Sequence, residues 1–276
     1  MIIIISLLLL GSLLPNLSFT SSVKVCIVNG TKPRQQMTRS GSGPESSAVW
    51  EATPHSRPYM VSVQKNRRHI CGGFLISDQF VLTAAHCRDS SEILTVVAGV
   101  RDLESKQENH VRINVRNYTK HPQYKTDNRT PYMANLMILE LETQVQINNK
   151  INTIPIPKTP GEISVGTDCS VAGWGRITTS GPLSQTLKEA NVQIMSDTVC
   201  ARWGLQYKAE EMMCVYGSEG SCYGDSGGPL VCNNIAVGVT SFVNRNNCND
   251  PYLHNVYMKI SAFLPWIKEI VPLPPK

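Results

Sequence analysis

The chain has 276 residues, 41% of them hydrophobic and 17% charged, with 26 Lys and Arg against 21 Asp and Glu. That balance excludes a disordered chain, and a net charge of +5 is too small to mark a dedicated nucleic-acid-binding protein. The length allows one two-core domain or two small ones, and the slight basic excess suits storage beside acidic proteoglycans. Residues Ile2 to Leu14 are apolar except for Ser6, Gly11 and Ser12, and Pro15 ends the run. This falls short of the ~20 residues that cross a bilayer. Small residues at Ser18, Thr20, Ser21 and Ser22 suit a signal-peptidase site, although no positive charge precedes the apolar core. Residues 1–22 therefore read as a signal peptide, and the mature chain has no membrane span. Lys32 to Trp50 is rich in Ser, Gly, Pro, Arg and Gln with little apolar content, the composition of a disordered surface loop.

From Tyr59 the pattern changes to short apolar runs between polar turns: Tyr59 to Gln64, Phe74 to Ile76, Val81 to Thr83, Ile93 to Gly99 and Val111 to Val115. Spacing of this kind predicts an all-β barrel or sandwich. His86 follows one of these strands, in Val81-Leu82-Thr83-Ala84-Ala85-His86-Cys87, with Cys87 beside it to anchor the backbone. Apolar density drops from Gln144 to Pro160, where Pro155, Pro157 and Pro160 mark an extended linker. A second strand-rich half follows, through Val171 to Gly175 and Val192 to Ile194.

Within that half, Ser221-Cys222-Tyr223-Gly224-Asp225-Ser226-Gly227-Gly228-Pro229-Leu230 crowds small residues around one hydroxyl. The glycines let the backbone turn sharply and a substrate backbone come close. Leu230 to Cys232 and Ile235 to Val239 then read as strands joined at Asn233-Asn234. The bland reading is a glycine turn capping a hairpin; the functional one is a displayed nucleophile. An unactivated serine needs a base within hydrogen-bond reach, and His86 is the candidate. At the C-terminus, Ile260, Phe263, Leu264, Ile267 and Ile270 recur at helical spacing before Pro272, predicting one amphipathic helix.

Gly224-Asp225-Ser226-Gly227-Gly228 also fits the G-x-S-x-G elbow of α/β-hydrolases. Those enzymes place the acid and histidine after the serine, whereas only His254 follows Ser226 and no amphipathic helices alternate with strands. Nine cysteines behind a signal peptide imply disulfides and an oxidising compartment, with the connectivity open. No C-x-x-C pair suggests zinc, and neither a metal nor an organic cofactor is implied.

Together, "LTAAHC" and "GDSGGPL" resemble the trypsin/chymotrypsin family of serine proteases, and "PHSRPYMVSVQ" and "CGGFLIS" resemble its granzyme-like leukocyte granule members. The resemblance runs from about Glu51 to Ile270. It implies two antiparallel β-barrels, about 51–150 and 151–276, with a C-terminal α-helix and the site in the cleft between them. It implies a monomeric endopeptidase, secreted or granule-stored, acting on peptides or proteins. In it, Ser226 is the nucleophile, His86 the base, and the N–H groups of Gly224 and Ser226 the oxyanion hole. Removal of a propeptide at residues 23–26 would free Ile27 to insert beside Asp225. The implied disulfides are Cys71–Cys87, Cys169–Cys232, Cys200–Cys214 and Cys222–Cys248, leaving Cys26 over. Gly220 would form the base of the specificity pocket, with Ser221, Val243 and Asn255 around it. Lacking a carboxylate, that pocket would favour small or medium uncharged side chains.

Two departures stand out. The family runs from its N-terminal tetrapeptide almost directly into the matching segment, without residues 32–50. Its orienting aspartate is replaced by Asn135, in Asn135-Leu136-Met137-Ile138-Leu139, and the nearest substitute is Asp127 in the polar turn before it. The expected product is a crippled protease or a non-enzymatic binding protein on the same scaffold. Asn117-Tyr118-Thr119, Asn128-Arg129-Thr130 and Asn29-Gly30-Thr31 fit glycosylation acceptors.

Overall fold

The computed structural model describes residues 49–89, 91–105, 110–124 and 132–272. The segments expected to be signal peptide and propeptide, with Cys26, Ile27 and most of the insert, lie outside them, as do Asp127 and Asn128.

The strands in chain order are β1 (Trp50–Glu51), β2 (Met60–Lys65), β3 (Arg68–Leu75), β4 (Phe80–Thr83), β5 (Leu94–Ala98), β6 (Val111–Lys120) and β7 (Met137–Leu141). After the linker come β8 (Asp168–Gly173), β9 (Lys188–Ile194), β10 (Met212–Tyr216), β11 (Pro229–Cys232), β12 (Ile235–Phe242) and β13 (Asn255–Lys259). Strands β2-β3-β4-β7-β6-β5 close into one antiparallel barrel. A second closes in the order β9-β10-β13-β12-β11-β8, through the pairing of β8 with β9. Closure removes free sheet edges, and the sandwich alternative falls away.

Alternation explains how each strand serves two cores. Val61, Val81, Met137 and Leu139 fill the first barrel, while their neighbours Met60, Leu82 and Ile138 join a shared cluster with residues of the second half. Val171, Val192, Met213, Leu230 and Tyr257 fill the second barrel. The shared cluster also takes Phe263, Leu264 and Ile267 of the C-terminal segment, which is a 3-10 turn (Ile260–Phe263) running into α-helix Leu264–Ile270. Hairpin turns follow the residues: Asn66-Arg67 joins β2 to β3 and Asn233-Asn234 joins β11 to β12, all four at positive φ.

Three boundaries differ from the sequence reading. Trp50, placed at the end of the insert, pairs with Glu189 in β1, and its indole N–H donates to the Glu189 carboxylate at 2.8 Å. β3 begins at Arg68 rather than Phe74, because Cys71-Gly72-Gly73 hides a strand behind small residues. β6 runs on to Lys120, because a bulge between Val115 and Asn117 resets its register against β7. The disulfides formed are Cys71–Cys87, Cys169–Cys232, Cys200–Cys214 and Cys222–Cys248.

Candidate active site

The barrels meet closely where β3 passes the Gly224–Gly228 loop. A Cβ on Gly72 would lie 3.2 Å from both Cα and N of Gly228. Across this contact the Gly72 N–H donates to the Ser226 carbonyl at 2.9 Å. Gly227 holds φ +83°, and its N–H donates to the Thr240 carbonyl at 2.9 Å. These bonds fix the backbone around the Ser226 hydroxyl. Among the described residues neither the Gly224 nor the Ser226 N–H meets an acceptor.

A buried relay braces the same loop. His69 Nε2 lies 2.9 Å from the Gly224 carbonyl, which can only accept, so the proton sits on Nε2. Nδ1 then accepts from Ser62 Oγ at 2.8 Å, and Gln64 Nε2 donates to Ser62 at 3.0 Å. Burial pushes the His69 pKa down to about 4, so the ring stays neutral. Nothing in the local sequence of Ser62 or His69 signals this role.

His86 sits in a 3-10 turn, Ala85–Cys87, that leaves β4 and is tied to β3 by the Cys71–Cys87 bridge. It lines a cleft of about 440 Å³ together with Ser226, Tyr132, Phe242, Val243 and Arg245. The Ser226 hydroxyl and His86 Nε2 share this cleft without hydrogen-bonding to each other or to another described residue. Cys71, His86 and Cys87 also lie within metal-ligand range. The two sulfurs are bonded to each other, so no thiolate is offered.

Asn135 is fully buried behind His86. Its Oδ1 accepts the His86 backbone N–H at 3.1 Å. Its Nδ2 lies 2.8 Å from His86 Nδ1 and donates to Ser241 Oγ at 2.8 Å. The backbone N–H can only donate, so it fixes which end of the amide is oxygen. The NH₂ therefore faces Nδ1, closer than Oδ1 at 3.2 Å. A neutral imidazole answering an N–H donor with Nδ1 carries its own proton on Nε2. Burial holds the His86 pKa below its ordinary value, reinforced by the Lys120 and Arg245 cations.

Asp225 is enclosed, its carboxylate accepting from the N–H groups of Gly175 and Cys222 at 2.8 Å each. Burial pushes its pKa up to about 6 despite those bonds. A cavity of about 30 Å³ beside it is lined by Val49, Gly173, Gly175 and Glu189. Among the described residues no cation pairs with Asp225.

The residues expected to form the specificity pocket separate. Val243 lines the cleft with Ser226; Gly220 and Asn255 do not. Asn255 Nδ2 donates to the Ser221 carbonyl at 2.7 Å and would lie 2.7 Å from a Cβ on Gly220. The Asn255 amide thus packs directly against Gly220, while Ser221 Oγ bonds Tyr257 OH at 2.7 Å.

The family model described as Trypsin matches residues 49–267. Duodenase-1 of Bos taurus is 38% identical over 224 residues, 79% of this chain and 85% of the relative. Cathepsin G of Homo sapiens is 35% identical, over 79% of this chain and 84% of the relative. Among solved structures, neuropsin, a serine protease expressed in the limbic system of mouse brain, superposes with TM-score 0.74 at 32% identity. That superposition covers 80% of this chain and 97% of neuropsin.

Proposed function

The chain belongs to the trypsin family of serine proteases, and on that premise we propose that it is a secreted or granule-stored endopeptidase whose turnover Asn135 strongly reduces. In this reading Ser226 attacks the scissile carbonyl, His86 relays its proton, and the N–H groups of Gly224 and Ser226 hold the oxyanion. The free N–H groups at both positions support the last assignment. Insertion of the Ile27 ammonium would supply the cation that buried Asp225 does not find among the described residues. The single carrying observation is the orientation of the Asn135 amide. It turns an N–H toward His86 Nδ1, where catalysis needs an acceptor for an imidazolium proton.

Gly220, Ser221, Val243 and Asn255 offer no carboxylate for Arg or Lys, so the proposed substrates present small or medium uncharged side chains. A monomer acting on peptides or proteins fits this cleft, and the net charge of +5 supports storage on acidic proteoglycan. The absence of a hydrogen bond between Ser226 and His86 among the described residues, with Asn135 fully satisfied, favours a second reading as a binding protein. Hydrolysis by processed Asn135→Asp protein decides between them. Restored turnover supports the protease; persistent inactivity supports the binder.

A further inference from the structure

Charge in the cleft is unevenly compensated. Its charged or titratable lining side chains are Lys65, His86, Glu92, Arg245 and the phenols of Tyr132 and Tyr223. Glu92 pairs with Lys65. Among the described residues Arg245 has no such acidic partner. Its Nη2 donates to the phenol oxygen of Tyr132 at 3.0 Å, a neutral acceptor. Tyr132 is itself held in place, stacked on Phe242 at 4.6 Å with a 20° interplanar angle and edge-on to His86 at 6.1 Å. The Arg245 carbonyl accepts from Tyr223 OH at 3.5 Å, which fixes the loop from the far side. A second cation, Arg176, lies 5.3 Å over the Tyr223 ring. Tyr132 comes from the first barrel and Arg245 from the second, so their bond bridges the cleft between them.

Such a guanidinium is poised rather than spent. A neutral phenol positions it by one N–H, leaving the remaining donors and the whole charge for an incoming carboxylate. An extended peptide that lays its acyl portion along Phe242 and Val243, as an added strand beside the end of β12, advances ~3.3 Å per residue toward Arg245. We infer that Arg245, positioned by Tyr132, recognises an acidic side chain on the peptide held in this cleft, so that the ligand class is an extended peptide carrying Asp or Glu two to four residues before the bond presented to Ser226. The inference rests on the peptide-cleft reading above and adds a charge preference to it.

Arg245 is exposed, so the preference is modest and salt-sensitive. The test uses the processed full chain carrying Ser226→Ala, which prevents turnover, and fluorescent peptides differing only in Glu, Gln or Lys at each of those positions. Fluorescence polarisation should show the Glu peptide binding about two- to fivefold tighter than Gln at one position, with Lys weakest. Arg245→Gln should erase the difference between Glu and Gln, and Arg245→Glu should turn the preference toward Lys. Tyr132→Phe should weaken it by freeing the guanidinium. Equal affinity for all three peptides, or a Glu preference that survives Arg245→Gln, overturns the inference while leaving the peptide cleft standing. No binding by any peptide overturns both. Labelling of Ser226 in the unmodified chain by a fluorophosphonate without a peptide reports the enzyme reading separately.

Discussion

The Gly72 N–H donates to the Ser226 carbonyl across 2.9 Å, and this one bond ties a strand of the first barrel to the serine loop of the second. It exists because neither Gly72 nor Gly228 carries a side chain at the crossing. The register of β3 against β2 and the shape of the Ser226 loop are thereby one problem, solved by glycine.

Gly72→Ala should damage both at once. The added methyl would meet backbone atoms of Gly228 at 3.2 Å, which cannot rotate aside. Overpacking of this kind costs about 1–3 kcal/mol, or roughly 2–10 °C in a domain of this size. Thermal unfolding should show that loss, and Ser226 should label more slowly with a fluorophosphonate. A variant as stable and as reactive as the parent would show that the barrels separate freely here.

Asp225 makes stability depend on pH in a definite direction. Its folded pKa of about 6 stands above the 3.8 of an ordinary aspartate, so the folded state holds a proton that the unfolded state has released. That contribution is full below the unfolded value and is lost as pH rises through about 6. The loss is on the order of 3 kcal/mol for the unprocessed chain. Denaturant midpoints from pH 4 to 7 should fall more steeply for the parent than for Asp225→Asn, whatever the offset between them. In processed protein the inserted ammonium should pull the carboxyl pKa down and flatten the difference. Identical slopes for parent and variant would mean that Asp225 is solvated.

The strands and the helix are legible because each leaves a local mark, alternation or helical spacing, whereas the disulfide pairs are implied only by the family resemblance. What stayed hidden depends on contacts between distant residues. The chain Gln64–Ser62–His69–Gly224 joins β2 and β3 to a loop far along the sequence, and no residue in it is unusual alone. Asn255 crosses Gly220 only because β13 brings it there. Strand β3 was shortened for a physical reason, since Cys-Gly-Gly lacks the β-branched bulk that marks a strand.

The edge of the insert can be located by deletion. Removing residues 32–47 should leave thermal stability unchanged or slightly raised, as loss of a polar loop would. Extending the deletion through Trp50 should lower it, because the pairing of Trp50 with Glu189 and the indole hydrogen bond go with it. A large loss from the shorter deletion would show that the segment packs on the barrels.

The decisive variant is Asn135→Asp. The aspartate would accept the His86 backbone N–H through one oxygen, as Oδ1 does now, and offer the other to His86 Nδ1 and Ser241 Oγ. Each partner can serve as donor, so the change requires no rearrangement. The imidazole proton would move to Nδ1, freeing Nε2 to take the proton of Ser226. A carboxylate in this place is worth about 10⁴ in kcat, so processed Asn135→Asp protein should gain about 10³–10⁴ on small uncharged substrates. The gain should fall on kcat more than KM, because the carboxylate meets the charge that develops on His86 in the transition state. The pKa of His86 should rise toward its ordinary value as a counter-charge offsets burial and the Lys120 and Arg245 cations. The pH–rate profile of the variant should then show an ascending limb near neutrality. The parent should still label slowly at Ser226, since the oxyanion donors remain. No gain in correctly processed Asn135→Asp protein would locate a further lesion in the cleft and leave the binding-protein reading as the stronger one.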